Sequence, residues 1–430
     1  MSTLLLLGGC APRPGTPAPA AAAMNRAAEA YVRLVLALGQ HDTDYVDAYY
    51  GPPEWRKEAE ASKLPLPEIR ARAAALLATL QASPAPGTDP MARLRHSYLT
   101  RQLQALVSRV DMLGGTRLSF DQESQALYDA VAPTLSEDHF RKVLGQLDRA
   151  LPGAGPLADR YQKFRSEFVI PANRVDAVFK AAIAACQART ARYIQLPAGE
   201  SFTVEYVKGK SWSAYNWYQG NFRSLIQVNT DLPIYIDRAL DLACHEGYPG
   251  HHVYNVLLEQ QLVRNRGWNE FSVYALFSPQ SLIAEGSANY GIQIAFPQAE
   301  RIAFERDTLF PLAALDPARA AEYYQVMELV QQLAYAGNEA ARGYLNGRID
   351  RKAAADWLVR YALMSPQTAE QRVRFFDQYR SYVINYNLGQ DLVREYVEAR
   401  AGRSATPEER WRVFRELLAS PRLPSDLRTR

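Results

Sequence analysis

Two residues, Pro249 and Gly250, interrupt a metal-ligand pattern and so restrict how the middle of this chain can fold. They lie in His245-Glu-Gly-Tyr-Pro-Gly-His-His252, which holds three of the chain's six histidines. Neutral imidazole is the commonest protein ligand for zinc, and a glutamate directly after one ligand is placed to act as a general base. In the zinc-hydrolase motif H-E-x-x-H the histidines stand four apart, one helical turn from each other on one face. His245 and His251 stand six apart. On an unbroken helix that is about 240° of rotation and about 9 Å of rise, too far to share one small cation. His252 has the better angle but lies farther along the axis. Proline inside a helix loses a hydrogen bond and collides with the preceding turn, while glycine accepts unusual dihedrals. A bulge or break at Pro249–Gly250 is therefore expected. It would bring His251 to the place the fourth-residue histidine normally takes; without it, His252 competes for that role. The plain alternative is a helix C-terminus with two surface histidines.

A third ligand is expected downstream at Glu285, in Leu282-Ile-Ala-Glu-Gly-Ser-Ala-Asn-Tyr290. The spacing is helical, and a carboxylate among small, apparently buried residues needs a partner. Glu285 is one of 46 acidic residues, so its neighbourhood carries the reading. Two imidazoles and one carboxylate leave an open position, as in catalytic zinc sites. Asn289, one turn on, is placed to hydrogen-bond a ligating histidine. Later, Arg380-Ser-Tyr-Val-Ile-Asn-Tyr-Asn-Leu-Gly389 sets Tyr382 and Tyr386 one turn apart, where a phenol near a metal would meet an oxyanion. Core packing is the competing reading in a chain with 25 tyrosines. Arg380 and Arg223 are candidates for holding a substrate carboxylate.

The run Gly220-Asn-Phe-Arg-Ser-Leu-Ile-Gln-Val-Asn-Thr230, the octet, Ala284-Glu-Gly-Ser-Ala-Asn-Tyr-Gly291 and Asn385-Tyr-Asn-Leu-Gly389 together resemble a large bacterial family with the signature H-E-x-x-P-G-H. Its members are described as lipoproteins and hydrolases, under a domain of unknown function. The resemblance covers most of the chain after the leader. That family is similar to the gluzincin metallopeptidases. The resemblance implies His245, His251 and Glu285 as zinc ligands and Glu246 as base, and it favours Tyr386 over Tyr382.

Charge excludes one class of partner. With 49 basic and 46 acidic residues, net +3, and no dense basic run, nucleic acid is not expected. No stretch approaches the roughly 20 apolar residues of a membrane span. At the N-terminus, Leu4–Leu7 precede Gly8-Gly9-Cys10, which looks like a bacterial lipobox with Cys10 lipidated. The Pro/Ala-rich Ala11–Pro19 then reads as a tether. No basic residue precedes Cys10 and the apolar run is short, so a start codon farther upstream is expected. A disordered leader on a cytosolic protein is the competing reading. The other cysteines, Cys186 and Cys244, show no metal-type spacing. Three thiols make no disulfide framework, so Cys244 is expected simply to pack in the core.

The chain divides into 1–23 (signal remnant and tether), 24–195 (helical) and 196–430 (metal-binding). Apolar residues at three- and four-residue spacing predict helices over Ala27–Leu38, Ile69–Leu80, Met91–Leu113 and Asn173–Ile194. Strands are predicted at Ser201–Val207 and Phe222–Asn229, with an aromatic stretch, Trp212–Tyr218, between them. The second strand is expected either to offer a free edge to an extended peptide, with Asn229 facing substrate, or only to pack the core. Asp231 is expected to open the helix carrying His245, with Pro233 in its first turn. Helix is expected from His251 to about Ser420.

The expected fold is mainly α, a multi-helix zincin-like architecture with a small β element beside the cleft. The expected activity is zinc-dependent hydrolysis of a peptide or small amide, in the bacterial cell envelope and with no membrane contact beyond a lipid anchor. A hydrolase of a non-peptide amide or ester, or a non-catalytic metal-binding lipoprotein, would share most of these features. Retention of Glu246 speaks against the last, since metal binding alone does not need it.

Overall fold

The computed structural model describes residues 19–83, 88–210, 212–402 and 404–428. Cys10 lies outside them. Helix accounts for 68% of the residues and strand for 7%, so the mainly α expectation holds. The predicted helices appear as longer or shorter versions of themselves. They include α1 (Pro19–Leu38), α2 (Pro90–Leu113) and, after the capped helix α3 (Phe120–Tyr128), α4 (Val175–Thr190). In α2 the buried positions Tyr98, Leu99, Gln102, Leu103, Leu106 and Val110 recur at three and four. Asp89 caps its start by accepting from the Met91 N–H, with Pro90 in the first turn.

Two small sheets sit beside these helices. One is β1 (Val46–Tyr49), antiparallel to Val273–Ala275, an alignment of two strands too short to read from the sequence. The other has β2 (Ser201–Val207), β3 (Ala214–Gly220) and β4 (Arg223–Asn229) in the order β2-β4-β3. The aromatic stretch is thus itself a strand. β4, expected either to offer a free edge or only to pack the core, has no free edge: it is the centre of the sheet, paired in parallel with β2 and antiparallel with β3. The edge bordering the cleft belongs to β3, whose Ala214, Tyr215 and Asn216 line it.

The helix that leads to His245, α5 (Ile236–Leu242), does not begin at Asp231. Asp231 instead accepts from the Gly209 and Lys210 N–H groups and closes the β2–β3 turn. Leu232 precedes a proline and is biased towards extended backbone. The chain then pairs with the 168–170 segment, Ile170 N–H to Ile234 O and Ile236 N–H to Phe168 O, before it turns helical.

Cys244, immediately before His245, is disulfide-bonded to Cys186 of α4, with a Cα–Cα distance of 5.7 Å. Both are fully buried, so core packing is right but the expectation of unpaired thiols is not. Beyond α5 come α6 (His251–Leu258), β5 (the Val273–Ala275 strand) and α7 (Pro279–Ala295), which is buried along most of its length. Farther on are α8 (Pro366–Tyr379) and α9 (Ile384–Ala401). Helices α7 and α9 cross backbone to backbone. A Cβ on Gly286 would lie 2.4 Å from the Gly389 carbonyl, so both glycines are required there. That crossing holds Glu285 against the tyrosines of the 380–386 segment.

Candidate metal centre

The two extra residues of the octet are absorbed in two steps. The backbone from Ala243 to Gly247 widens into a π-helical turn, a form often found at functional sites. The chain then breaks at Tyr248-Pro249-Gly250 and re-enters a helix at His251. The Gly250 N–H donates to Cys244 O at 2.9 Å. A Cβ there would come within 1.9 Å of His245 O, so only glycine permits this return.

The result is a cluster. His245 Nε2 and His251 Nε2 lie 3.1 Å apart, with their rings nearly perpendicular. Glu285 Oε2 is 3.3 Å from the first and 3.8 Å from the second. The three ligand atoms all lie within 4.8 Å of one another. His252 points the other way. Fully buried, it donates from Nε2 to Glu200 Oε2 at 2.7 Å and accepts from Ser224 Oγ at 2.8 Å. That arrangement fastens α6 to the sheet.

The surroundings prepare this cluster for a cation. Glu285 Oε2 is buried and has no hydrogen-bond partner, while Oε1 accepts from the Tyr382 hydroxyl at 2.8 Å. Asn289 donates from Nδ2 to Tyr386 O, which fixes its amide and turns Oδ1 to His245 Nδ1 at 2.9 Å. His245 therefore carries its proton on Nδ1 and presents the Nε2 lone pair to the cluster. Burial opposes charge on His251, yet Glu285 first, then Glu246 and Asp47, push its pKa up to about 9. Burial likewise opposes charge on Glu285, but His245 and His251 hold it well below the usual carboxylate range. Two imidazoles around an orphaned carboxylate oxygen fit a divalent metal, and zinc suits that donor set. Asn289→Ala is expected to weaken metal affinity about 10–100-fold without changing the ligands, as isothermal titration with zinc would show.

Glu246 is buried beside the cluster and lines the same cleft, which has a volume of about 1370 Å³. Its backbone carbonyl accepts from Asn216 Nδ2 at 2.7 Å, which anchors the π-helical turn to β3. Tyr386 also lines the cleft, and its ring packs 5.8 Å from that of Tyr382. Tyr382 is committed to Glu285, so it steadies a ligand and does not stand free to meet an oxyanion.

Two sequence candidates are engaged elsewhere and a third lies outside the cleft. Arg380 donates to Glu123 Oε2 at 2.7 Å, and Glu123 also holds the Ser381 N–H and hydroxyl. This clasp to α3 is structural. Arg223 is exposed at the start of β4, outside the cleft lining. Asn229 reaches the cleft, but its amide donates to Lys210 O and Trp212 O and its Oδ1 accepts from the Asp231 N–H, so its polar atoms serve the loop.

One acid was missed. Asp47 of β1 lines the cleft and accepts from the Tyr215 hydroxyl of β3. Its pKa is raised to about 7 by burial, with His251 opposing and the Glu285 and Glu246 charges adding. Its only sequence signal is an aspartate in the aromatic-rich run Asp44-Tyr-Val-Asp-Ala-Tyr-Tyr50.

No family model matches the chain, and no curated protein matches it. Solved structures do. The "putative lipoprotein" from Colwellia psychrerythraea superposes with a TM-score of 0.52 at 16% identity, covering 86% of this chain and 70% of that one. A second protein so described, of unknown function, from Shewanella oneidensis gives 0.43 at 13% over 86% and 79%. The M32 carboxypeptidase from Deinococcus radiodurans R1 gives 0.36 at 14% over 91% and 88%. The first likeness shows a shared fold. The two looser ones carry no argument about chemistry.

Proposed function

We propose that this protein is a zinc-dependent hydrolase that cleaves an amide, a peptide bond, in the cleft beside His245, His251 and Glu285. The observation that carries the reading is the unpartnered, buried Glu285 Oε2 facing two imidazoles, with the Glu246 residue lining the same cleft. The resemblance to the H-E-x-x-P-G-H family supports it. Zinc held by these three side chains would supply Lewis acidity, polarising a carbonyl and acidifying water. Glu246 takes the proton of the attacking water and returns it to the leaving amine. Tyr386 donates its hydroxyl to the developing oxyanion. Asn289 and Tyr382 keep His245 and Glu285 in place. Asn216, through the Glu246 carbonyl, keeps the base turned to the cleft.

We place the protein in the bacterial envelope, lipidated at Cys10. The lipobox-like Leu7-Gly-Gly-Cys10 supports this, as does the shared fold with the Colwellia protein. Among the described residues no helix is long and apolar enough to cross a membrane. The decisive experiment incubates zinc-loaded protein with a mixed peptide library and follows the products by mass spectrometry. Cleavage that stops with a chelator and returns with zinc is expected. A protein that binds no zinc, or a metal-loaded one that leaves every peptide intact, would overturn the reading.

A further inference from the structure

Four arginines line the cleft, and three of them are already paired. Arg165 faces Asp237 at 3.6 Å, Arg238 faces Asp241 at 3.2 Å, and Arg301 faces Asp241 and Glu305, each at 2.9 Å. Arg372, on α8, has no carboxylate partner among the described residues, and its buried Nε has no hydrogen-bond acceptor. Its guanidinium lies instead among aromatic rings, 4.5 Å from the centre of Phe375 and 5.8 Å from those of Phe376 and Tyr386. Burial holds its pKa below the ordinary arginine value, but a guanidinium stays protonated in a protein. A half-buried cation whose Nε finds no acceptor and that has no counter-ion beside it is costly. The side chain therefore presents an unfilled demand for an anion to the same cleft that holds the metal ligands.

Its position says which anion. Arg372 packs on Tyr386, Tyr386 packs on Tyr382 at 5.8 Å, and the Tyr382 hydroxyl is bonded to Glu285. Two ring contacts thus join the free guanidinium to a metal ligand. Arg372 and the cluster line one cleft, so a single peptide can set an anion on the guanidinium and an amide at the metal ligands. In a peptide, the anion that every chain carries beside its last bonds is the terminal carboxylate. The guanidinium fork suits it, giving two parallel N–H···O bonds.

We propose that Arg372 binds the free C-terminal carboxylate of the peptide, so that the protein trims chains from the C-terminus and does not cut within them. This rests on the hydrolase reading above. Arg372 is a specificity-determining residue: it selects the substrate and takes no part in proton transfer. It fills the role that Arg223 and Arg380 cannot, the one being outside the cleft and the other held by Glu123.

The test uses a dansyl-capped pentapeptide prepared as the free acid and as the C-terminal amide. Binding is read by fluorescence anisotropy on zinc-loaded Glu246→Gln protein, where turnover does not interfere. The free acid is expected to bind about tenfold to hundredfold more tightly than the amide. Arg372→Met in the same background should erase that preference while zinc content and amide binding stay as they were. Arg372→Lys, which keeps the charge and loses the fork, should retain part of it and guards against misfolding of the methionine variant. In the wild-type protein, library products should be ladders shortened from the C-terminus. Equal affinity for acid and amide, or a preference that survives Arg372→Met, overturns the proposal whether or not peptides are cleaved. Internal cleavage that is blind to the terminal group overturns it while leaving the hydrolase reading intact. Acid-selective, Arg372-dependent binding without any chelator-sensitive cleavage would sink the hydrolase reading and keep the carboxylate site.

Discussion

Replacing Glu246 with glutamine is expected to lower kcat by about 10²–10⁴-fold while zinc content and thermal stability remain those of the parent. Glu246 is 5% exposed, and its fixed contact to β3 runs through its backbone carbonyl, not its side chain. The amide is nearly isosteric and leaves that contact untouched. What it removes is the ability to accept the water's proton. Loss in kcat with KM little changed would mark an interaction made in the transition state. The check is steady-state kinetics on any peptide the parent cleaves, alongside metal analysis. Parental turnover in the variant would sink the general-base assignment.

The second large effect separates the adjacent histidines. His251→Ala, His245→Ala and Glu285→Ala are each expected to lose most bound zinc. His252→Ala should keep it near stoichiometric. His252 is instead expected to matter for stability. Its removal leaves the Ser224 hydroxyl without its buried partner and the Glu200 carboxylate with the Tyr248 hydroxyl alone, a cost of about 1–3 kcal/mol. Metal content by mass spectrometry and thermal unfolding of the four purified variants separate the two roles. Zinc lost from His252→Ala but kept in His251→Ala would move the ligand register by one and refute the bulge geometry.

The parts of the site that lie close together in sequence were legible there. Histidines around a glutamate, and a carboxylate in a small-residue helix, announce their chemistry through residue type and spacing. The Pro-Gly pair announces a break because its constraints are local. What was not legible depended on partners far away in the chain. Nothing near Arg380 reveals that Glu123 will hold it, and nothing near Asp47 reveals that β3 will bring Tyr215 to it. Asp231 has the chemistry of a helix cap, but the 168–170 segment captures the following residues first. Strand order is similarly non-local, so β4 was recognisable as a strand but not as the centre of its sheet. The Cys186–Cys244 bond belongs to the same class, since two thiols 58 positions apart carry no sign of facing each other.

The pairing of β1 with β5 has a bearing on how the chain comes to hold its shape at all. Tyr50, next to β1, donates to Phe271 O across 221 positions. At about 5–20 residues per second, the ribosome takes roughly 10–50 s to deliver the partner of a strand it has already made. Through that interval β1 has open N–H and C=O groups, the kind of edge that recruits unrelated chains. It is short, only four residues, which limits the hazard. Asp47 is thus the earliest-made acid of the cleft, yet it cannot take its place until well over half of the polypeptide exists.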